Sequence, residues 1–338
     1  MEDKVKKLDN LIYSVPHYDY PKHSRIHRLS SFDQEGAIVY VKREDELGFG
    51  ISGSKIRKYL TLLPWLTDQK FQEALLMGGS FSNHILGITQ LLKEKRIRPV
   101  LFLLGHPPHS LKGNFLWTSL LVEESDIYYF PKEKGAEIEQ IAEKYIQKRK
   151  EENVKAALIP LGGSHDSALA GMLTLAQDVL RNEQEHNLHF DHIFIDAGTA
   201  MTASFLLLAF SFLKKVAHFH ILLLAGTKEE FHIALENWKK KLEALLDEPI
   251  PYLSFTLHIP QNASSFGSVN TTVLKGIKEL ARQEGIFTDP VYTGKLFLEG
   301  KLLVKQLSLK GNILFVHTGG GLGLCGFQEA LSNLIASK

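Results

Sequence analysis

The feature that most constrains this chain is an alternation. Nine short apolar runs, at 37–41, 74–77, 100–104, 127–130, 156–161, 192–195, 218–225, 254–259 and 312–316, are mostly separated by stretches of helical spacing such as 136–150, 166–180, 203–213, 228–246 and 271–284. Runs of that length read as buried strands, and strands that alternate with helices build parallel sheets through right-handed crossovers. Residues 1–36 carry prolines and histidines on a weak period and are expected to be mainly irregular, with one short strand. No low-complexity linker or internal repeat breaks the order, so any domain boundary falls in an ordinary loop. The fold class expected is α/β with mostly parallel sheets. Ligands of open parallel sheets bind beyond the carboxyl ends of the strands, which directs attention to the loops that leave them. Four stand out: GGSFSNH at 78–84, GGSH at 162–165, DAGTAMTA at 196–203 and HTGGGLG at 317–323.

A fifth segment, GFGISGSKIRKY at 48–59, runs from glycines and serines into a helix that begins near Ile56. Lys55 therefore sits at a helix N-terminus, where the first N–H groups and the helix dipole attract anions and disfavour cations. A lysine held near positive potential loses basicity and becomes a usable nucleophile. The same pattern also describes a solvated surface lysine. The turn Gly198, Thr199, Ala200, Met201, Thr202 likewise has two readings, a phosphate cup at a helix N-terminus or a helix capped by Thr199 or Thr202.

Several chemistries are excluded. Lys plus Arg (39) and Asp plus Glu (38) leave a net charge of +1, so no whole-chain field argues for nucleic acid or a membrane surface. One cysteine, Cys325, rules out an internal disulfide and a multi-cysteine metal site, which fits a reducing cytoplasm. The charged first residues carry no apolar run, so no secretory signal is expected, and the longest apolar runs are too short to span a bilayer. Gly321 to Gly326 satisfies G-x-G-x-x-G, but only a dozen residues follow, too few for the rest of a dinucleotide unit. His186, His189 and His192 fall in what reads as a polar connection into a strand, so no metal site is expected. Ser82 lacks the glycine that a nucleophile elbow requires two residues on.

Taken in order, Lys42-Arg-Glu-Asp45, Gly53-Ser-Lys-Ile-Arg-Lys58, Gly79 with Ser82-Asn-His84, Pro160-Leu-Gly-Gly-Ser164, Asp289-Pro-Val-Tyr-Thr-Gly-Lys295 and His317-Thr-Gly-Gly320 form a set. The set resembles the pyridoxal-phosphate enzymes of the tryptophan-synthase-β-like fold (fold type II), in the branch of 1-aminocyclopropane-1-carboxylate deaminase and D-cysteine desulfhydrase. The resemblance covers most of the chain. It implies two open, mostly parallel sheets flanked by helices, a large cofactor-binding domain from 1–58 and 178–338, and a smaller inserted domain from 59–177. It also implies a homodimer and a small amino-acid substrate.

By this resemblance Lys55 would be the Schiff-base lysine that also carries the Cα proton. Asn83 would meet the cofactor's phenolic oxygen, and Ser82 would hold the substrate carboxylate with His84 beside it. The phosphate would rest on Gly198, Thr199, Ala200, Met201 and Thr202, with Lys58 as an added cation. Tyr292 would lie over the substrate, and Thr318 would face the pyridine nitrogen. Deaminases of the branch resemble one another in a glutamate after the tyrosine and a leucine before the C-terminal Gly-Gly. Thr293 and Thr318 stand there instead, which implies desulfhydrase-like β-elimination ahead of cyclopropane ring opening or a non-catalytic binding role. A lone threonine hydroxyl is neutral and would leave the pyridine nitrogen a weak electron sink. Two departures from the family pattern stand out: family members usually have glycine where Ala200 and Met201 stand, and Phe81 replaces a usual glutamine. A positive φ at Met201 would be costly.

Overall fold

The computed structural model describes residues 2–135, 137–251 and 254–336. In chain order the strands are β1 (Ile26–Arg28), β2 (Ala37–Lys42), β3 (Glu73–Gly78), β4 (Arg98–Leu104), β5 (Ile127–Phe130), β6 (Ala156–Ile159), β7 (His192–Ala197), β8 (His218–Leu223), β9 (Phe255–His258) and β10 (Gly311–Val316). The helices are α1 (Glu2–Tyr13), α2 (Ile56–Asp68), α3 (Asn83–Glu94), α4 (Gly113–Ser119), α5 (Ile138–Glu151), α6 (Leu169–Glu185), α7 (Met201–Phe212), α8 (Lys228–Leu246), α9 (Thr271–Glu284), α10 (Thr293–Gln306) and α11 (Gln328–Ala336). They build the α/β architecture that the alternation implies, divided into the two sheets that the family resemblance implies. One sheet has six strands in the order β1-β2-β10-β7-β8-β9, the other four in the order β5-β4-β3-β6. Every pairing is parallel except β1 with β2.

All nine expected strands are present, with ends moved by a residue or two. Pro160 has no N–H to continue the ladder, so β6 stops at Ile159 instead of 161. β3 is buried at every position, the mark of a central strand covered on both faces. The N-terminal segment departs most from expectation. It holds α1, whose Leu8 and Ile12 are buried in the main core while Val5 and Leu11 pack beside them. That spacing is helical, but the charges between those residues and the prolines that follow obscure it. The stretch expected as a polar connection at 183–191 begins inside α6, where buried Glu183 accepts the Phe190 N–H at 3.0 Å and pairs with Lys215. Residue 136, expected to open a helix, lies outside the described residues, and α5 begins at Ile138.

Parallel strands send their following loops out of one edge, and the five segments singled out above follow β2, β3, β6, β7 and β10. That shared polarity positions the site. Among the described residues no helix is long and apolar enough to cross a membrane, and no group of three or more potential ligands could hold a metal ion.

Candidate active site

The site is assembled by glycines where neighbouring loops touch. At Gly53 (φ +53) a Cβ would sit 2.4 Å from the Thr318 carbonyl oxygen, so only glycine lets the turn before Lys55 close on Thr318. The Ser54 N–H then donates to that carbonyl at 2.9 Å. Gly162 (φ +65) brings the loop after β6 against Thr199, whose Oγ1 accepts from Ser164 Oγ at 3.1 Å. By the same close approaches Gly320 lies between Asn83 and Asp289, Gly163 lies on the His84 ring, and the Tyr292 ring edge covers Gly198. Loops from both sheets therefore meet around Lys55.

Lys55 is the N-cap of α2, half-buried after a tight turn at Gly53–Lys55. Burial holds its ammonium pKa below the usual lysine range, against the opposing charges of Asp196 and Asp289. Among the described residues no ion pair or hydrogen bond engages its Nζ. Lys58, one turn on, donates to the Gly162 carbonyl at 2.7 Å. Burial first, and then the charge of Lys55, bring its pKa to about 7. Lys58 thus reaches the loop that touches Thr199.

Between these two lysines on the helix, Arg57 points into a different environment. It binds both oxygens of Glu44 at 2.5 and 2.7 Å, Asp178 at 2.9 Å and Thr174 at 3.0 Å. Lys42 closes the network onto Asp178 at 2.6 Å and Asn182 at 2.7 Å. Burial favours a neutral Asp178, yet Lys42 and Arg57 together hold its pKa below the usual carboxylate range. This network anchors the first turn of α2 to β2 and α6, and so fixes where Lys55 begins.

Ser82 caps α3, its Oγ accepting the N–H groups of His84 at 3.2 Å and Ile85 at 3.3 Å. Its hydroxyl proton stays available to donate. Asn83 Oδ1 accepts from Asn114 Nδ2 at 2.5 Å, which orients the Asn83 amide nitrogen outward as a donor. Asn114 was not found from the sequence, because a single asparagine in a distant short helix leaves no pattern. His84 is almost fully buried with Nδ1 3.0 Å from the Tyr59 hydroxyl, and its Nε2 is buried without a partner. Burial, then Lys58 and Lys55, keep its pKa well below the usual value, so it is a neutral ring. Any contact it makes with a ligand falls to Nε2.

Two buried carboxylates were also missed as site residues, although both lie in segments singled out by sequence. Asp289 accepts the N–H groups of Val291, Tyr292 and Thr293 at 2.7 to 3.0 Å and the Thr293 hydroxyl at 2.9 Å, capping α10. Its pKa is raised by burial, which those hydrogen bonds oppose. Asp196 accepts the Thr318 hydroxyl at 2.7 Å. Burial raises its pKa to about 6, with Thr318 and Lys55 opposing and Asp289 assisting. The neutral Thr318 hydroxyl thus has a carboxyl group behind it, a partner that the sequence reading did not include.

At the β7–α7 turn the residue with positive φ is Ala200 (φ 64), the N-cap of α7. Met201 takes helical backbone and is fully buried in the core, so the strain expected there is absent and a milder strain sits at Ala200. The Met201 N–H folds back on the Thr199 carbonyl at 2.8 Å. Thr202, half-buried, follows in the first turn of α7. Tyr292, half-buried with its hydroxyl pKa raised first by burial and then by Asp289 and Asp196, is a neutral phenol.

No family model matches the chain. A Pyrococcus abyssi protein provisionally named 1-aminocyclopropane-1-carboxylate deaminase is 28% identical over 337 residues, covering 97% of this chain and 99% of its own. The mitochondrial bifunctional D-cysteine desulfhydrase/1-aminocyclopropane-1-carboxylate deaminase of Arabidopsis thaliana is 26% identical over 98% of this chain and 84% of its own. The crystal structure of an ACC deaminase homologue superposes with a TM-score of 0.84 at 28% identity, covering 97% of this chain and 99% of the other. The resemblance carried by a few short motifs thus extends along the chain and to its fold: this protein is a relative of the 1-aminocyclopropane-1-carboxylate deaminase and D-cysteine desulfhydrase proteins.

Proposed function

We propose that the protein is a pyridoxal-phosphate-dependent amino-acid lyase that eliminates a leaving group from Cβ of a small amino acid, in the manner of D-cysteine desulfhydrase, giving keto acid, ammonia and, from D-cysteine, sulfide. The observation that carries it is Lys55, a shielded lysine of lowered basicity at a helix start, facing two buried carboxylates and free of any ion pair among the described residues. The names of the relatives support the reaction class.

The residues present fit the cofactor. Lys55 supplies an amine for covalent attachment. The start of α7, with Thr199 and Thr202 and the left-handed turn at Ala200, offers a phosphate its N–H end, and Lys58 stands behind Gly162 as a cation. Asn83 would offer its amide nitrogen to the cofactor's phenolic oxygen, and Thr318 would offer its hydroxyl oxygen to the ring nitrogen. When bound, the cofactor supplies an electron sink for the carbanion left at the substrate Cα.

The chain's own groups do the rest. Lys55 Nζ takes the Cα proton, a task suited to an amine whose basicity burial lowers. The Ser82 hydroxyl donates to the substrate carboxylate while the N–H groups it caps hold it in place. Tyr292, neutral and covering Gly198, presents its hydroxyl to the leaving side of the substrate. Thr293, buried on Asp289, braces that tyrosine at the start of α10. We take 59–177, which contains the four-stranded sheet, as the inserted domain, and the protein as a cytoplasmic homodimer.

Two measurements test this. Borohydride trapping of the purified, cofactor-supplemented protein should label the peptide containing Lys55, and a protein with no visible chromophore would sink the reading. Turnover of D-cysteine or another β-substituted amino acid, with 1-aminocyclopropane-1-carboxylate left intact, is the expected substrate pattern. The reverse pattern would move the protein to the ring-opening branch, and Tyr292→Phe should slow either reaction without preventing the trapping.

A further inference from the structure

We propose that Asp196 is a positioning residue that acts through Thr318: by accepting the hydrogen bond of the threonine's O–H it leaves Thr318 Oγ1 able only to accept from its other side, so that the site keeps a proton on the pyridine nitrogen of the bound cofactor. The inference rests on the pyridoxal-phosphate reading above and deepens it.

The geometry is specific. Asp196 is the penultimate residue of β7 and Thr318 lies two residues beyond β10, and these strands are neighbours, so their ends emerge side by side. Both residues are buried, and Thr318 Oγ1 donates to Asp196 Oδ1 at 2.7 Å. The Thr318 main chain is pinned by the Ser54 N–H at 2.9 Å, in the turn that carries Lys55. With the main chain held there, the carboxylate sets the direction in which the hydroxyl proton points.

A hydroxyl has one proton and two acceptor lone pairs. With its proton given to a carboxylate, Thr318 offers only lone pairs to whatever lies on its other side. A neutral pyridine nitrogen is also an acceptor, and two acceptors face to face repel. A protonated nitrogen donates. A proton taken from water onto the ring nitrogen thus completes the chain from ring N–H to threonine oxygen and from threonine O–H to carboxylate, with no change in oxidation state. The charged or titratable groups around Asp196 are Lys55 from the start of α2 and Asp289 and Tyr292 from the start of α10. Lys55 favours the ionised Asp196 that the chain needs, and Asp289 disfavours it. The electron sink that a neutral threonine by itself would weaken is strengthened at one remove.

The test loads the protein with pyridoxal phosphate carrying nitrogen-15 in the ring and records the nitrogen NMR shift at neutral to mildly alkaline pH, where Asp196 is ionised. Wild type should show the shift of a protonated pyridine. Asp196→Asn, of the same shape but able to donate to the threonine, frees the hydroxyl to turn and should move the signal to the unprotonated range with the visible band retained. Thr318→Val should do the same, and Thr318→Ser should keep the wild-type signal. A merely structural tie between strand ends would alter cofactor occupancy or thermal unfolding without moving the nitrogen shift. An unprotonated wild-type nitrogen, or an Asp196→Asn signal equal to that of wild type, overturns the inference while the cofactor reading stands. Absence of any bound chromophore in wild type overturns both. Should Asp196→Asn fail to fold, the wild-type spectrum with the two Thr318 variants decides the matter alone.

Discussion

Two buried charge clusters meet the first turn of α2, and they are built in opposite ways. Around Arg57, three cations (Arg57, Lys42 and Arg181) and two carboxylates are joined by short hydrogen bonds, with Ser24, Thr174 and Asn182 filling further positions. Around Lys55, the charges of Lys58, Asp196 and Asp289 are close enough to shift one another, yet no described ion pair joins a lysine to a carboxylate. In the first cluster the partners hold Asp178 in its ionised form. In the second, burial moves Lys58 down to about 7 and Asp196 up to about 6, toward neutrality. A saturated network fixes geometry, whereas an unsaturated one keeps groups able to exchange protons near physiological pH. The same helical turn uses the first to aim the second.

The largest expected effect breaks the reactive side. Lys55→Ala should leave no measurable turnover in a keto-acid assay while urea unfolding stays within about 1 kcal/mol of wild type, because no paired charge is lost. A variant that keeps turning over substrate would show that another base does the work.

Next comes the structural side. Arg57→Met leaves Glu44 and Asp178 buried with one cation fewer, and removal of one partner from a buried pair costs about 3–5 kcal/mol. Urea unfolding should show that loss, and an unchanged midpoint would mean that the network does not brace α2.

The two aspartates should also respond to pH with opposite signs. Asp178 has a folded pKa below its unfolded value of 3.8, so it contributes stability at higher pH that is lost as pH falls below about 3.8. Asp196 rises from 3.8 to about 6, so the folded state binds the extra proton between those values and stability from this group falls as pH rises through the window. Unfolding of the cofactor-free protein should therefore show Asp196→Asn gaining up to about 3 kcal/mol over wild type at neutral pH, and Asp178→Asn losing stability there. Equal slopes for the two variants would erase the distinction between the clusters.

The smallest effect concerns the phosphate turn. Ala200→Gly relieves a left-handed alanine but adds backbone entropy to the unfolded chain, so a net gain of about 0.5 kcal/mol or less is expected from thermal unfolding. A clear loss would show that the alanine methyl packs usefully at its buried position.

The alternation of apolar runs and helical stretches determined the α/β class and the strands, because a strand buried on both faces writes its burial directly into consecutive residues. It also determined which loops to inspect, since strand polarity sends them to one edge. α1 was obscured because charges surround its four apolar positions. Glycine-rich patterns marked the loops around Lys55, Ser82 and the Gly198 turn, while the roles given to Ser82, Asn83 and Tyr292 rest on the family resemblance and belong to the proposed function. What each side chain faces was decided only by the tertiary structure. Asn114 comes to Asn83 from 31 residues away, Asp196 comes to Thr318 from 122, and Tyr59 comes to His84 from 25. Alternate helix positions in Lys55, Arg57 and Lys58 read alike as cations in the sequence. Only the packing of α2 between two different surroundings makes Arg57 a brace and lowers the basicity of Lys55 and Lys58.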